Sequence, residues 1–533
     1  MSWQSTSCRL PHDPCTLQDG KPCPACSDAA EIELQIAETE KSLAALKSRR
    51  FTIRSEMNRI HSSIILKIPP EIFSNIFIHC LTISIIDRSI HSPNSKKGFS
   101  PLLLGAVCKL WRRIAWSTPQ LWRSISVDLS GPHISTVVEL AKQWLIRSGQ
   151  MPLSVRLLCR PPGTATKLFE IIDKEDVRAL LAVLSHSSGR WRNLDLSIPP
   201  RLMRHINSAP RYVYPLESLF LDFNPALQSL DGSSFDLGQT NINYGNLTHV
   251  NLHFLDIHAC AHILHRAPRL IHCKLFNIFQ VRELPLPIEH AHLRSLSFQR
   301  KSYTSYSSGD FILSLIIPLS LEELDYEVSR GADANLCLAN LLAHSSHSLK
   351  RLILKNIRTS SWDPEQLAQA SSLTYLRLET DRFAGRELYA GRLNKLFDEL
   401  SFSIRDPTQT LLFLPHLEVL EIASSLDQFT WSNVYTIFDR HYTAPTDPSQ
   451  EELQTHHVPT RRPLRRLSIE VYRSSLEYKY IDLDHVQHFK SLIAKGYDIQ
   501  FFCSVVENGK EVPEDLLFLS AGRCEGIFDL DDL

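Results

Sequence analysis

The chain contains no run of about 18 consecutive apolar residues, so no membrane-spanning helix is expected. Its start, MSWQSTSCRLPHDPC, lacks the charged segment and apolar core of a secretory signal. An excess of one charge sign is missing too, with 57 Lys and Arg against 58 Asp and Glu. A net charge of −1 provides no global field to recruit nucleic acid, and neither nucleic acid nor membrane is expected as a partner. Catalytic signatures are also lacking. The Gly-Lys pairs at 20–21 and 509–510 sit in no phosphate-loop setting, and H-E-x-x-H, G-x-S-x-G and G-x-G-x-x-G do not occur. No catalytic residue, cofactor or enzymatic activity is therefore expected.

What is present describes a folded chain: 533 residues, 43% hydrophobic and 22% charged. That length suits one elongated domain or about three compact ones. Twelve Cys, most of them scattered through apolar segments, suit a reducing compartment, hence cytoplasm or nucleus. Residues 1–30 form a Cys- and Pro-rich stretch, expected as a flexible tail. Cys23 and Cys26 make a C-x-x-C half-site, but Cys8 and Cys15 are too widely spaced for an ordinary second half, so no metal site is assigned. Residues 31–65 carry Ile32, Ile36, Thr39, Leu43, Leu46, Arg50, Ile53, Met57, Ile60 and Ile64 at alternating spacings of four and three. Such a heptad seam predicts a helix of about 50 Å, coiled-coil-like, that either self-associates or packs on its own chain.

Residues 66–125 read as a small all-α module. Pro69 and Pro70 open a helix, Glu71 complements its positive end, and Ile72, Ile76, Phe77 and Leu81 are expected on one apolar face. A second helix is expected from near Pro101, with Leu103, Val107, Leu110, Trp111 and Ile114 on one face. Two short helices cannot bury this much apolar surface against each other alone, so the rest of the chain or a partner must cover it. IPPEIFSNIFIHCL followed by VCKLWRRIA and STPQLW closely resembles the F-box of fungal F-box-like proteins. The family's helix start maps onto Ile68, Pro69, Glu71 and Ile72, and its later Val-Cys-x-x-Trp-Arg onto Val107, Cys108, Trp111 and Arg112; Ile replaces the usual Leu at 68. The resemblance implies docking on a Skp-type adaptor of a cullin scaffold, through Ile68, Pro69, Pro70, Glu71, Ile72, Ile76, Phe77, Val107, Cys108, Trp111 and Ile114.

From residue 126 to 533 a phrase L-x-x-L-x-L recurs, as WRNLDL at 191–196, LESLFL at 216–221 and eight further copies ending with LRRLSI at 464–469. Offsets of 25, 31, 23, 23, 28, 28, 24, 44 and 47 residues fit leucine-rich repeats, with insertions near 380–412 and 440–463. The expected fold class is α/β: the heptad helix, the F-box module, then a leucine-rich-repeat solenoid with a parallel β-sheet on its concave face. Alternation turns the fourth and sixth positions inward and the fifth outward. The outward set is Asp195, Phe220, Asn251, Lys274, Ser297, Asp325, Ile353, Arg377, Glu421 and Ser468, mostly polar, with Phe220 and Ile353 as apolar exceptions. Ten strands make a ridge of about 45–50 Å, large enough for a standard protein interface. His258, His262 and His265 share one helix face between strands and are read as a solvated flank. These features suit a substrate receptor of a ubiquitin ligase, or a scaffold that assembles partners without ligase function; neither names the target protein.

Overall fold

The computed structural model describes residues 23–61, 68–85, 100–130, 133–159, 174–206, 215–223, 242–279, 285–300, 309–328, 334–357, 362–380, 392–402, 413–425, 430–438, 463–472, 481–507 and 510–524. It divides into two compact units, Met1–Thr118 and Pro119–Leu533. The division falls ahead of the expected boundary at residue 125. A 3-10 turn, Pro119–Trp122, leads into the first strand at Ser124 and belongs with the sheet. Its Trp122 is fully buried, edge-on to Trp144 at 4.8 Å, with the Arg147 guanidinium 4.9 Å above its ring.

The smaller unit holds four helices among its described residues: α1 (Pro24–His61), α2 (Pro70–Ile85), α3 (Pro101–Val107) and α4 (Lys109–Ser117). The heptad helix starts earlier than the expected residue 31. Residues 24–30, read from sequence as tail, are its first turns, because Pro24 suits a first helical position and Ala25, Ala29 and Ala30 favour helix. Cys26 therefore sits inside a helix, while Cys8, Cys15 and Ile64 lie outside the described residues. The single helix expected from Pro101 is two. Cys108 is extended (φ −157°, ψ 170°) and breaks it, and its sulfur accepts the Trp111 N–H at 3.5 Å as the cap of α4.

The larger unit is mixed α/β. Its strands are β1 (Ser124–Asp128), β2 (Leu153–Leu158), β3 (Trp191–Ser197), β4 (Ser218–Asp222), β5 (His249–His253), β6 (His272–Phe276), β7 (Ile288–His290), β8 (Ser295–Gln299), β9 (Ile316–Pro318), β10 (Glu323–Glu327), β11 (Arg351–Ile357), β12 (Tyr375–Thr380), β13 (Val419–Ser425), β14 (Arg466–Tyr472), β15 (Asp498–Glu507) and β16 (Lys510–Asp515). Fourteen of them form one sheet in chain order, parallel throughout except for the closing β15–β16 hairpin; β7 and β9 pair separately. Connections carry α5 (Ile134–Arg147), α6 (Glu175–His186), α7 (Pro200–Met203), α8 (Ile257–His265), α9 (Gly309–Leu315), α10 (Ala334–His344), α11 (Arg392–Phe402), α12 (Trp431–Thr436) and α13 (Leu483–Ala494), and α14 (Leu516–Cys524) follows the hairpin.

All ten L-x-x-L-x-L copies fall on strands of the large sheet. Period-two alternation explains their burial: the fourth and sixth residues, such as Leu194 and Leu196 or Leu352 and Leu354, are 2% exposed or less in every copy. The segment near 380–412 is partly a helix, α11, whose Leu393, Leu396, Phe397 and Leu400 are buried; most of 440–463 lies outside the described residues. In α8, Asp256 caps by accepting the Ala259 N–H at 2.8 Å, and Ile257, Ala261 and Leu264 point into the core.

Two outcomes follow. Leu352→Ala, at a fully buried site in the middle of the sheet, is expected to lower unfolding free energy by about 2–5 kcal/mol in urea titration, while Ile353→Ala stays within about 1 kcal/mol. His290 is buried, and that burial, with the nearby His265 charge, lowers its pKa below the ordinary value. The unfolded chain then binds the proton more readily, so this contribution to stability is lost as pH falls through about 6.5. The urea midpoint of His290→Leu should fall less between pH 7.5 and 5.5 than that of the native chain.

Candidate interaction surfaces

The helical unit is apolar on two sides. In α2, Phe73 and Phe77 turn inward, with ring centroids 5.9 Å apart, and Trp111 of α4 stands 6.1 and 4.9 Å from them. Ser74 and Thr118 hydroxyls meet at 2.9 Å, and the Arg112 side chain donates to the Gly105 carbonyl at 2.8 Å. Gly105 lets α3 lie against α4, since a Cβ there would overlap the Trp116 ring.

This core sorts the residues expected to meet an adaptor. Ile72 (48% exposed), Ile76 (44%) and Val107 (61%) face outward, as do Pro69, Pro70, Glu71 and Cys108, while Ile68 is half-buried. Phe77 and Ile114 are not available: they are 1% and 4% exposed. The face expected over Ile72, Ile76 and Phe77 is therefore split, because the α2 core contacts run through Phe73 and Phe77, four residues apart, and leave the Ile72–Ile76 stripe beside them outward. Trp111 is half-buried against the two phenylalanines. The break at Cys108 separates Val107, exposed, from Ile114, buried, and it leaves Leu102 and Leu103 exposed, which sequence periodicity through one continuous helix did not reveal.

On the large sheet, the outward fifth positions form one transverse row. Register pairs Asp195 with Phe220, Phe220 with Asn251, Asn251 with Lys274 and Lys274 with Ser297. It continues through Asp325, Ile353, Arg377, Glu421 and Ser468 to Gln500, and in the other direction through Arg156 to Ser126. All are at least partly exposed, Lys274 and Ser126 most fully.

The row has two characters. Toward β13 it is a closed polar network. Arg377 reaches Glu379 at 2.7 Å and Glu421 at 3.1 Å, and these carboxylates hold its guanidinium pKa above the usual value despite partial burial. The Tyr375 hydroxyl donates to Glu421 at 2.7 Å, and burial together with that carboxylate raises its pKa. Arg351 lies 3.7 Å over the Tyr375 ring, and Lys355 and Gln299 hold Asp325 at 2.9 Å each. Ile353 stands isolated within this charged stretch.

Toward β4 the face is aromatic. Phe220 meets His253 edge-on at 4.8 Å, His253 lies 4.9 Å from Phe276, and Phe254 touches Phe276 at 5.8 Å. His249 and His272 stack at 4.7 Å on the same two strands. Phe254 has φ +56°, a left-handed conformation that costs a bulky residue about 1–2 kcal/mol, so the patch is built at some expense to the backbone. Only Phe220 was among the expected contacts. His253 and Phe276 share its parity but lie two residues past the fifth position, where extending the alternation along each strand would have found them.

His258 and His265 are exposed and His262 sits edge-on to Tyr244 at 6.3 Å; among the described residues no three His, Cys, Asp or Glu side chains group to hold a metal. Cys260 and Cys273 are fully buried thiols with raised pKa, Cys273 to about 12, so neither is a nucleophile at neutral pH. No described helix is long and apolar enough to cross a membrane.

Gly105→Ala is expected to push the Trp116 ring aside, lowering stability by about 1–3 kcal/mol and red-shifting tryptophan emission before global unfolding. No family model matches this chain, and no curated protein matches it either.

Proposed function

We propose that the chain is the substrate-recognition subunit of a Skp–cullin–F-box type ubiquitin ligase, acting in the cytoplasm or nucleus and carrying out no chemistry itself. The helical unit docks a Skp-type adaptor, and the larger unit is a leucine-rich-repeat solenoid whose open sheet face holds a target protein. One observation carries the docking half: α2 closes the unit's own core with Phe73 and Phe77 and still presents Ile72 and Ile76, with Val107 of α3 also outward. An apolar stripe left exposed by an already packed module is what a helical interface offers a partner. The target half rests on the aromatic patch around Phe220, His253 and Phe276 beside exposed Lys274. Large, partly rigid aromatic groups next to a cation make an anchor cluster of the type that dominates binding energy. The closed network around Arg377 and Glu421 supplies a preorganised polar flank.

Purified chain mixed with a Skp-type adaptor should form a complex on gel filtration. Ile76→Asp and Val107→Asp, both at exposed positions, should each weaken it by about 2 kcal/mol, roughly 30-fold, with an unchanged circular dichroism spectrum. An adaptor that does not bind the native chain, or binds both variants equally well, ends this reading.

A further inference from the structure

Among the described residues, none covers the apolar seam that α1 presents. Ile32, Ile36, Leu43, Leu46, Ile53 and Met57 are each between 46 and 60% exposed along a helix of 38 residues. A seam of about five heptads left in water is a surface that calls for a second helix. The charge along the helix identifies that second helix. Residues 24–40 hold five acids and no base, whereas residues 41–61 hold six bases and one acid. The helix dipole favours this polarity only within the first and last turns, and it leaves the acids and bases of the middle turns unexplained.

We propose that two copies of the chain pair through α1 as an antiparallel coiled coil, with Arg50 of each copy opposite Thr39 of the other. Side-by-side parallel pairing would set acidic half on acidic half and Arg50 on Arg50, with Arg49 facing Arg54 and Asp28 facing Glu33 across the seam. Antiparallel pairing removes each of these like-charge contacts, placing Arg49 across from Ser42 instead of Arg54. In the register that places the two polar seam residues together, Leu43 meets Leu46, Ile36 meets Ile53 and Met57 meets Ile32. No apolar seam residue of this stretch then faces a polar one. The flanking positions follow suit, Glu33 lying across from Arg54 and Glu40 from Lys47, each pair occurring twice by symmetry. Thr39 is suited to that layer because its hydroxyl already donates to the Gln35 carbonyl at 2.7 Å, and the Arg50 stem can lie over it with its head in solvent. The pairing rests on α1 alone and is independent of adaptor docking.

Light scattering on the full chain tests it. The native chain should have twice the 60.8 kDa chain mass at micromolar concentration. Glu33→Lys with Glu40→Lys should weaken the dimer about tenfold or more, and adding Lys47→Glu with Arg54→Glu to the same chain should restore it. Leu43→Asp with Leu46→Asp should give monomer whose thermal unfolding of the sheet is unchanged. A native chain that is monomeric or larger than a dimer overturns the proposal. So does a dimer tightened by Glu33→Lys with Glu40→Lys, which is what parallel pairing requires, since the change relieves acidic repulsion there.

Discussion

Parallel pairing that keeps one register through the core of each strand, with shifts only at the start of β2–β3 and the end of β11–β12, is the constraint on which the larger unit depends. Each strand lays its fourth- and sixth-position side chains beside those of its neighbour, so that Leu324, Leu352, Leu376, Leu420 and Leu467 line up across five strands. A slip of one residue anywhere would turn buried leucines to water and outward charges to the core. The connections tolerate large differences in length because closure entropy grows slowly with length, while the strands tolerate almost none. The open face inherits the same order: once the buried rows are aligned, the row from Ser126 to Gln500 is aligned too, whatever its side chains are.

That inheritance separates two kinds of surface on one sheet. Charged side chains on one strand and its neighbour satisfy one another, as Arg377 does with Glu379 of its own strand and Glu421 of the next, and the result is a fixed, largely neutralised patch. Aromatic side chains in adjacent strands meet edge-on or tilted and remain incompletely covered, as Phe220, His253 and Phe276 do. Desolvating the second patch costs less than desolvating the first, which is why the aromatic end is the better anchor for a partner.

In the helical unit, packing is decided by breaks and close approaches. The extended Cys108 and the missing side chain at Gly105 set how α3 and α4 meet, and Trp116 occupies the space this leaves. Phe77 and Trp111 are then joined in the core, and Ile72 and Ile76 are excluded from it. A helix that is apolar on two sides has no internal reason to prefer one side, so the choice belongs to the neighbouring helix.

Much of the fold is legible in the sequence alone. Spacing in the chain located all ten repeat strands, the inward pair of each and the outward fifth residue, because a strand's alternation is a local property of the backbone. It also locates the long α1 helix, though not its first turns at 24–30. Periodicity misjudges the single helix through Cys108 and passes over His253, Phe276 and Phe254, and the resemblance counts Phe77 and Ile114 among docking residues although both are buried. The sequence by itself determined which residues alternate, recur and repeat. Only the tertiary structure decided which apolar side chains are spent on the chain's own core and which rings come together across strands, because burial and contact depend on residues distant in the chain, and no local period records them.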